Sequence, residues 1–424
     1  MNRGFYTIMA AQFFSSLADN ALLIAAIALL ARMQAPGWMT PVLKLFFVLS
    51  YVLLAAFVGA FSDALPKGRV MFITNMIKVV GCALLFFNVH PLLAYAVVGF
   101  GAAAYSPAKY GILTELLPAE KLVAANGWIE GLTVSSIILG TVMGGALVDE
   151  HTAALLLQFD LPLIDTGVNT PHKAALSVIV VTYLLAALFN LHIPDTGAHY
   201  AHQQRNPIKL IADFAHCYSM LWKDKLGQIS LAVTTLFWGA GATLQFIVLE
   251  WAKHSLNMPL HKAANLQGIV ALGVALGAVA AARLVPLKKS LSVMPLGIAM
   301  GLVVMAMTMV HTVWLAYPLL VLVGALSGYF VVPMNALLQH RGHVLMSAGH
   351  SIAVQNFNEN LSILTMLALY AVMVSLNLNL NIVIVMFGLF VAGMMYLVMR
   401  QHAANQREHD SLALIGEHKH ESLI

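Results

Sequence analysis

The sequence predicts an all-α integral membrane protein with twelve transmembrane helices in two six-helix halves. Of its 424 residues, 60% are hydrophobic and only 9% are charged, whereas soluble domains carry roughly 25% charged residues. Apolar runs of about twenty residues recur along the whole chain, which is the length that a helix needs to cross a bilayer. These runs are continuous rather than alternating, so a β-barrel is disfavoured.

The apolar runs divide the chain into regular spans joined by short connectors. Cys82 lies in a span and Cys217 in a connector, so no disulfide framework is indicated. No cleavable signal peptide is evident, and we expect the first helix to be retained. The predicted spans are residues 5–31, 42–61, 70–87, 92–113, 122–148, 174–193, 226–251, 264–285, 291–310, 313–338, 346–376 and 380–399.

The polar connector in the middle of the chain sets the predicted domain organisation. Residues 1–193 form the first half, 194–225 a cytoplasmic linker, 226–400 the second half and 401–424 a cytoplasmic tail. The linker carries Ile208, Ile211, Phe214 and Leu221 at helical spacing, which indicates an amphipathic helix on the membrane face. With the N-terminus inside, about fifteen of the 22 Lys and Arg residues fall on the cytoplasmic side, so we expect both termini there.

A proline helix followed by a polar helix occurs in both halves. The fourth span reads GAAAYSPAKYGIL and the tenth GALSGYFVVPMNALL, which aligns Pro107 with Pro333 and Lys109 with Asn335. A duplicated six-helix unit leaves such a trace. Lys109 at membrane depth costs about 2.5–3.5 kcal/mol without a partner. It either extends to the cytoplasmic headgroups or lines a transport pathway, and we favour the pathway.

The first span contributes a polar face. Gln12, Ser16 and Asp19 share one side of the helix. Asp19 either ties neighbouring helices together or meets a cation, supplied by the substrate or by Lys109. Lys78 in the third span is interpreted as extending to the cytoplasmic surface.

Three later spans also carry candidate residues. Asn126 and Glu130 lie one turn apart in the fifth span, where Glu130 and Lys109 could neutralise each other. Gly239 and Gly241 could break or bend the seventh span. The eleventh span crowds five polar residues into one stretch, which indicates a watery cavity or a partner half rather than lipid; amide groups that join helices could account for two or three of them. The five are Gln355, Asn356, Asn358, Glu359 and Asn360.

Sequence motifs of enzymes and ATP-driven pumps are not evident. There is no Ser-His-Asp order, P-loop, CxxC pair or dinucleotide fingerprint. The HKHE run at residues 418–421 is interpreted as a solvated tail rather than a metal site. We therefore expect no enzymatic activity, cofactor, metal or nucleic-acid partner.

The stretch GAFSDALPKGRV, residues 59–70, resembles the loop between helices 2 and 3 of the major facilitator superfamily. Gly59, Asp63, Gly68 and Arg69 match, but the spacing is two residues longer and Ala64 replaces a basic residue. The resemblance implies a conformational latch in which Asp63 accepts hydrogen bonds from backbone amides and an arginine, with Arg69 as the matching basic residue. A plain solvated turn is the alternative.

Six blocks spread over both halves resemble the bacterial lysophospholipid transporter (LplT) family of that superfamily. They are AQFFSSLADNALL, GAAAYSPAKYGIL, KLVAANGWIEG, LFWGAGATLQF, FVVPMNALLQHRG and AVQNFNEN. The resemblance implies a major facilitator fold and a flippase for lysophosphatidylethanolamine and related lysolipids in the bacterial inner membrane. It also implies a separate acyl-ACP synthetase/acyltransferase that re-acylates the lipid on the cytoplasmic side. The sequence departs from the family near Gln245, where relatives are expected to carry a basic residue.

A lysolipid headgroup gives the polar residues a role. Lys109 could bind the phosphate, and Asp19 or Glu130 the ammonium of an ethanolamine headgroup. Small residues would permit a lateral opening for the acyl chain, and we expect a monomer. A proton-coupled exporter of small drugs or metabolites, with Asp19 and Glu130 as proton carriers, is the alternative. A third hypothesis is a non-transporting membrane scaffold for a lipid enzyme, which leaves the buried charges unexplained. The expected substrate contacts are Asp19, Tyr105, Lys109, Asn126, Glu130, Asn335, Gln355, Asn356 and Glu359.

Overall fold

The computed structural model describes residues 3–36, 39–157, 168–198, 200, 203, 206–258, 260–408 and 410–416. Within these residues the chain forms fifteen α-helices and four short 3₁₀-helices, without a strand. The prediction of an all-α protein is confirmed. The HKHE run of the predicted tail lies outside the described residues.

The helices are numbered in their order along the chain. The α-helices are α1 (Arg3–Arg32), α2 (Met39–Leu53), α3 (Ala55–Ala64), α4 (Lys67–Phe86), α5 (Pro91–Leu116), α6 (Leu122–Val148), α7 (Glu150–Leu157), α8 (Pro171–Leu191), α9 (Pro207–Lys223), α10 (Gly227–Ser255), α11 (Leu260–Leu284), α12 (Met294–Met305), α13 (Val313–Leu345), α14 (Ala348–Ser375) and α15 (Leu380–Glu408). The 3₁₀-helices are Ala119–Lys121, Leu287–Val293, Ala306–Met309 and Ser411–Leu414.

Eleven helices in the described part of the chain are long and apolar enough to span a membrane. The pair α2 and α3 adds a twelfth span if it is counted as one, because the two helices meet at an angle of 67°. The predicted span at 42–61 is therefore present but broken at Leu54. One turn before the break, Oγ of Ser50 donates to the carbonyl of Phe46 at 2.9 Å, a contact that often bends helices. With this pair as one span, the predicted twelve are confirmed.

The helices cluster into two compact units. Unit 1 comprises Met1–Ile112 and Ser135–Ile211, and unit 2 comprises Leu113–Val134 and Ala212–Ile424. The boundary cuts α5 and α6, so that the turn between these helices belongs to unit 2. The predicted domain limits are based on the linker and stay a prediction.

Small side chains bring the helices of unit 1 close together. On α1, Ala18, Ala21 and Ala25 are fully buried. Gly144 of α6 lies against this face, because a Cβ at Gly144 would sit 2.9 Å from the carbonyl oxygen of Ala21. Contacts between small residues are the usual way in which membrane helices pack, since lipid gives no hydrophobic drive for their association.

Two glycine pairs form a tight helix contact in unit 2. Gly273 and Gly277 of α11 face Gly324 and Gly328 of α13, each pair spaced four residues apart. A Cβ at any of the four would clash with backbone atoms of the opposite helix. The two backbones therefore touch directly, in the manner of a GxxxG helix pair.

Asp224 joins α9 to the helices of unit 2. Its Oδ1 accepts from the backbone N–H of Gly227 at 2.7 Å and so satisfies the first backbone donor of α10. Arg341 donates to both carboxylate oxygens, with Nε at 2.9 Å and Nη2 at 2.7 Å. Nearby, Leu221 of α9 is fully buried. The placement of α9 on the membrane face stays a prediction.

Candidate functional site

A buried ion pair joins α1 and α4 in unit 1. Nζ of Lys78 lies 2.8 Å from Oδ2 of Asp19 and 3.0 Å from Oγ of Ser15. Ser15 and Asp19 are one turn apart and share a face of α1. The side chain of Lys78 is 1% exposed, whereas that of Asp19 retains 19% exposure. The cation is enclosed, and the carboxylate is the more accessible partner.

Two tyrosines frame this ion pair. The hydroxyl of Tyr183 on α8 donates to Oδ1 of Asp19 at 2.6 Å. Nζ of Lys78 lies 4.9 Å from the ring centre of Tyr105 and 5.7 Å from that of Tyr183. Both rings are nearly fully buried. Electron-rich ring faces attract a cation, so the two rings add favourable contacts to the ammonium group of Lys78.

This arrangement corrects the expectation for Lys78, which does not extend to the surface but holds Asp19 from the interior. Asp19 joins α1 to α4 and α8, as in the helix-tying alternative, and its cation is Lys78 rather than Lys109. Contact of Asp19 with a substrate stays a prediction. The physical reason is that residue count gives the depth of a side chain but not the helix it faces, and Asp19 and Lys78 are 59 positions apart.

Lys109 lies on α5, half-buried, with Nζ 4.6 Å from the ring centre of Tyr110. Pro107 is inside the same helix, which continues without a break from Pro91 to Leu116. The suggested pairing of Lys109 with Glu130 stays a prediction. Pro333 is likewise inside an uninterrupted helix, α13.

The stretch that resembles the superfamily loop holds a second buried ion pair. Nζ of Lys67 lies 2.6 Å from Oδ1 of Asp63 and donates to the carbonyl oxygen of Ser62 at 2.9 Å. Asp63 and Lys67 are both buried, whereas Arg69 is exposed. Lys67, which the sequence did not single out, is thus the basic residue bonded to Asp63. A role as conformational latch stays a prediction.

In unit 2, Asn126 of α6 and Gln339 of α13 form a reciprocal amide pair. The Nδ2 group of Asn126 donates to Oε1 of Gln339 at 2.9 Å, and Nε2 of Gln339 donates back to Oδ1 of Asn126 at 3.0 Å. Both side chains are at most 1% exposed. Beside them, a Cβ at Gly127 would lie 2.6 Å from Cβ of Ala282 on α11. The first turns of α6 are therefore closely packed on α11 and α13.

A second polar cluster of unit 2 centres on Glu359 of α14. Its Oε1 accepts from Nε2 of Gln355 at 2.8 Å, and the same Nε2 lies 3.2 Å from Oδ1 of Asn335 on α13. Glu359, Gln355 and Asn335 are 7%, 6% and 2% exposed. The structure thus brings together three of the predicted contact residues. Glu130 of α6 is also buried, and its charge acts on Glu359.

The other amides of the eleventh span bond mainly within α14. Asn358 donates to the carbonyl of Val354 and accepts from the indole N–H of Trp222 at 3.3 Å. Asn360 donates to the carbonyl of Asn356, which is buried. Two of the five polar residues, Asn358 and Asn360, therefore donate to backbone carbonyls of their own helix. The high number of polar residues in this span is explained partly by these local bonds and partly by polar neighbours.

The glycines predicted to bend the seventh span behave differently from each other. Gly239 packs on α14, since a Cβ there would lie 3.0 Å from Cγ of Met366. Gly241 has no atom within 4 Å of such a Cβ. The helix α10 is uninterrupted from Gly227 to Ser255, so it is not broken at these positions. A role in bending during transport stays a prediction.

Three residues of these clusters were not singled out in the sequence: Lys67, Tyr183 and Gln339. A fourth, Lys78, was assigned to the surface. One signal was present, because Asn75 and Lys78 lie three residues apart and so share a helix face, and Asn75 accepts from Ser15 at 2.8 Å. Among the residues that the structure describes, no three His, Cys, Asp or Glu side chains are grouped as metal ligands.

Comparison with known proteins assigns the class. The sequence model of the Major Facilitator Superfamily matches residues 7–363. The fold is similar to that of the transporter FucP in its outward conformation, with a TM-score of 0.69, 14% identity and coverage of 94% of this chain and 98% of that one. A bacterial homologue of the iron transporter ferroportin gives a TM-score of 0.70 at 13% identity, covering 95% of this chain and 100% of that one. The chain belongs to the Major Facilitator Superfamily.

Sequence relatives narrow the class. The lysophospholipid transporter LplT of Yersinia enterocolitica is 41% identical over 375 residues, which are 88% of this chain and 88% of that protein. The protein of the same name from Yersinia pestis strain Pestoides F is also 41% identical and covers 88% of this chain and 87% of its own length. The resemblance to the LplT family that was seen in the sequence is confirmed. These relatives are transporters, which is consistent with the expectation that the chain is not an enzyme.

Proposed function

We propose that this protein is a lysophospholipid transporter. It moves lysophosphatidylethanolamine and related lysolipids across the bacterial inner membrane toward the cytoplasmic leaflet, where they are re-acylated. The observation that carries the proposal is the 41% identity to proteins named lysophospholipid transporter LplT, over 88% of both chains. A similarity that spans nearly all of both sequences includes the helices that would form the pathway.

The polar clusters suit a lysolipid headgroup. Such a headgroup carries a phosphate and, with ethanolamine, an ammonium, which need charged or amide partners away from the hydrocarbon. In the proposal Lys109 binds the phosphate. The proposed headgroup contacts are Asp19, Tyr105, Lys109, Asn126, Glu130, Asn335, Gln355, Asn356 and Glu359.

Transport proceeds in this proposal by alternating access, with lateral entry of the single acyl chain from the bilayer. Asp63 and Arg69 form the proposed latch. Lys67, which contacts Asp63, is a second basic residue of this latch. Pro107, Pro333, Gly239 and Gly241 are the proposed bending positions.

The proposal also includes the orientation of the chain in the membrane and its functional partner. The excess of Lys and Arg in the inner connectors supports cytoplasmic termini. The functional partner is a separate acyl-ACP synthetase/acyltransferase, and the transporter acts as a monomer.

Uptake of labelled lysophosphatidylethanolamine into spheroplasts tests the function. Cells that lack their own lysolipid transport should gain uptake with the wild-type chain. Lys109→Ala should lower it about tenfold, because a hydrogen bond to a charged group contributes about 1.5–3 kcal/mol. Lys288→Ala, at an exposed lysine, is the matched control and should leave uptake unchanged.

One result would count against the proposal. If the wild-type chain gives no uptake, lysolipid transport is wrong, and the exporter or the scaffold becomes the better hypothesis. Loss of uptake on addition of an uncoupler would show instead that lysolipid transport is coupled to the proton gradient.

A further inference from the structure

The buried carboxylates of the two units differ in how their charge is balanced. Asp19 of unit 1 has a cation, Lys78, at 2.8 Å. In unit 2, Glu359 accepts from the neutral amide of Gln355, and the charged group that acts on it is Glu130. Within the described residues Glu359 therefore has a neutral donor and a like charge, but no cation, around it.

Around Glu359 there are also more hydrogen-bond acceptors than donors. Nε2 of Gln355 is shared between Oε1 of Glu359 and Oδ1 of Asn335. The other side of the same amide, Oε1 of Gln355, is buried and receives no hydrogen bond from any described residue. Gln355 is 6% exposed, and a buried acceptor without a donor is unfavourable.

A buried carboxylate is stabilised by taking up a proton or by a positive charge held close to it. The cluster offers three oxygen acceptors of different groups: the Glu359 carboxylate, Oε1 of Gln355 and Oδ1 of Asn335. A primary ammonium group has three N–H donors and one positive charge, so it matches both the number of acceptors and the missing charge.

We propose that Glu359, Gln355 and Asn335 form a binding subsite for a primary ammonium group. The inference rests on the proposed function, in which that group is the ethanolamine amine of the lysolipid. It assigns the amine to unit 2 rather than to Asp19, whose charge Lys78 and the Tyr183 hydroxyl already satisfy.

The experiment compares two lysolipids that differ in the amine. Lysophosphatidylethanolamine carries a primary ammonium, and lysophosphatidylglycerol does not. Uptake of each is measured in spheroplasts for the wild type, Glu359→Gln and Asn335→Ala. Glu359→Gln keeps the length of the side chain and the acceptor for Nε2 of Gln355, but removes the charge.

We expect Glu359→Gln to lower uptake of the ethanolamine lipid about tenfold or more, with less than about a twofold change for the glycerol lipid, since a charged hydrogen bond is lost for the first substrate only. Asn335→Ala should lower uptake in the same direction by a smaller factor. Glu250→Gln, at a carboxylate with 45% exposure on α10, is the matched control and should change neither uptake.

Folding of each variant is checked by its elution from a size-exclusion column in detergent. For folded Glu359→Gln, an equal fall for both lipids overturns the subsite, and so does an unchanged uptake of both. A pH-dependent loss shared by both lipids would assign a proton to Glu359 instead. Should Glu359→Gln not fold, a selective loss in Asn335→Ala decides. If the wild type transports neither lipid, the proposed function fails and not the subsite alone.

Discussion

At the scale of single residues, the chain stabilises buried charge by close pairing. Lys78 and Asp19 form a pair at 2.8 Å, with Ser15, Tyr105 and Tyr183 around it. Removing one member of a buried pair leaves the other uncompensated, which costs much more than the pair itself contributes. A single substitution in this pair is therefore expected to destabilise the protein, and replacement of both residues to restore most of the stability.

Asp19→Asn should lower the free energy of unfolding by about 3 kcal/mol, the lower end for a broken buried pair, because Asp19 is partly exposed. The double variant Asp19→Asn with Lys78→Gln should recover most of that loss. Thermal unfolding of the purified protein in detergent measures both. Asp213→Asn, at an exposed position, should be neutral.

The same variants separate stability from transport. If the stable double variant still takes up lysolipid at the wild-type rate, the pair serves the fold alone. An unstable double variant would contradict the charge-pair argument, since the neutral groups would then be no better than one buried charge.

At the scale of elements, helix contacts depend on backbones that approach without side chains between them. The pair α11 and α13 shows this clearly, because Gly273 lies on Gly324, and Gly277 lies on the backbone of Ala325. In lipid, where apolar side chains gain little by leaving their surroundings, such van der Waals contact is a main source of helix association.

Gly277→Ala should weaken the α11–α13 contact, because the added Cβ would meet the carbonyl of Ala325. Forcing the backbones apart should cost about 1–3 kcal/mol, seen as a lower thermal unfolding midpoint. Gly268→Ala on the same helix meets no atom within 4 Å and should be neutral or slightly stabilising, as alanine favours the helix. Equal effects of the two changes would show that helix propensity, not contact, decides.

At the scale of the whole molecule, the compact units do not follow the two halves of the sequence. The segment Leu113–Val134 groups with unit 2, where Asn126 is bonded to Gln339 and Gly127 lies against Ala282. Under the proposed alternating access, this segment has to leave α13 once in each transport cycle.

Cross-linking Asn126→Cys to Gln339→Cys with a short, cleavable bismethanethiosulfonate should therefore stop lysolipid uptake, and a reducing agent should restore it. The test needs a background in which Cys82 and Cys217 are replaced by serine, since both are free thiols. Each single cysteine variant, treated in the same way, is the control. Full uptake in the cross-linked protein would mean that the segment stays on α13 throughout transport.

Much of the fold was determined by the sequence alone, because it rests on local and additive properties. Apolar runs of sufficient length form spanning helices wherever they occur, so the all-α class and the twelve spans were predicted, apart from the 67° bend at Leu54. The blocks around Asp19, Lys109 and Glu359 were also enough to indicate the family.

The partners of the polar residues were decided by the tertiary structure. Asp19 is paired with Lys78 across 59 positions, and Asn126 with Gln339 across 213. Helical periodicity tells which residues share a face but not which helix that face meets. The depth of Lys109 in a span suggested a buried cation. The rotation and packing of α1, α4 and α8 instead bury Lys78. Interactions of a charge are stronger in a low dielectric, and that environment exists only where other helices enclose the side chain.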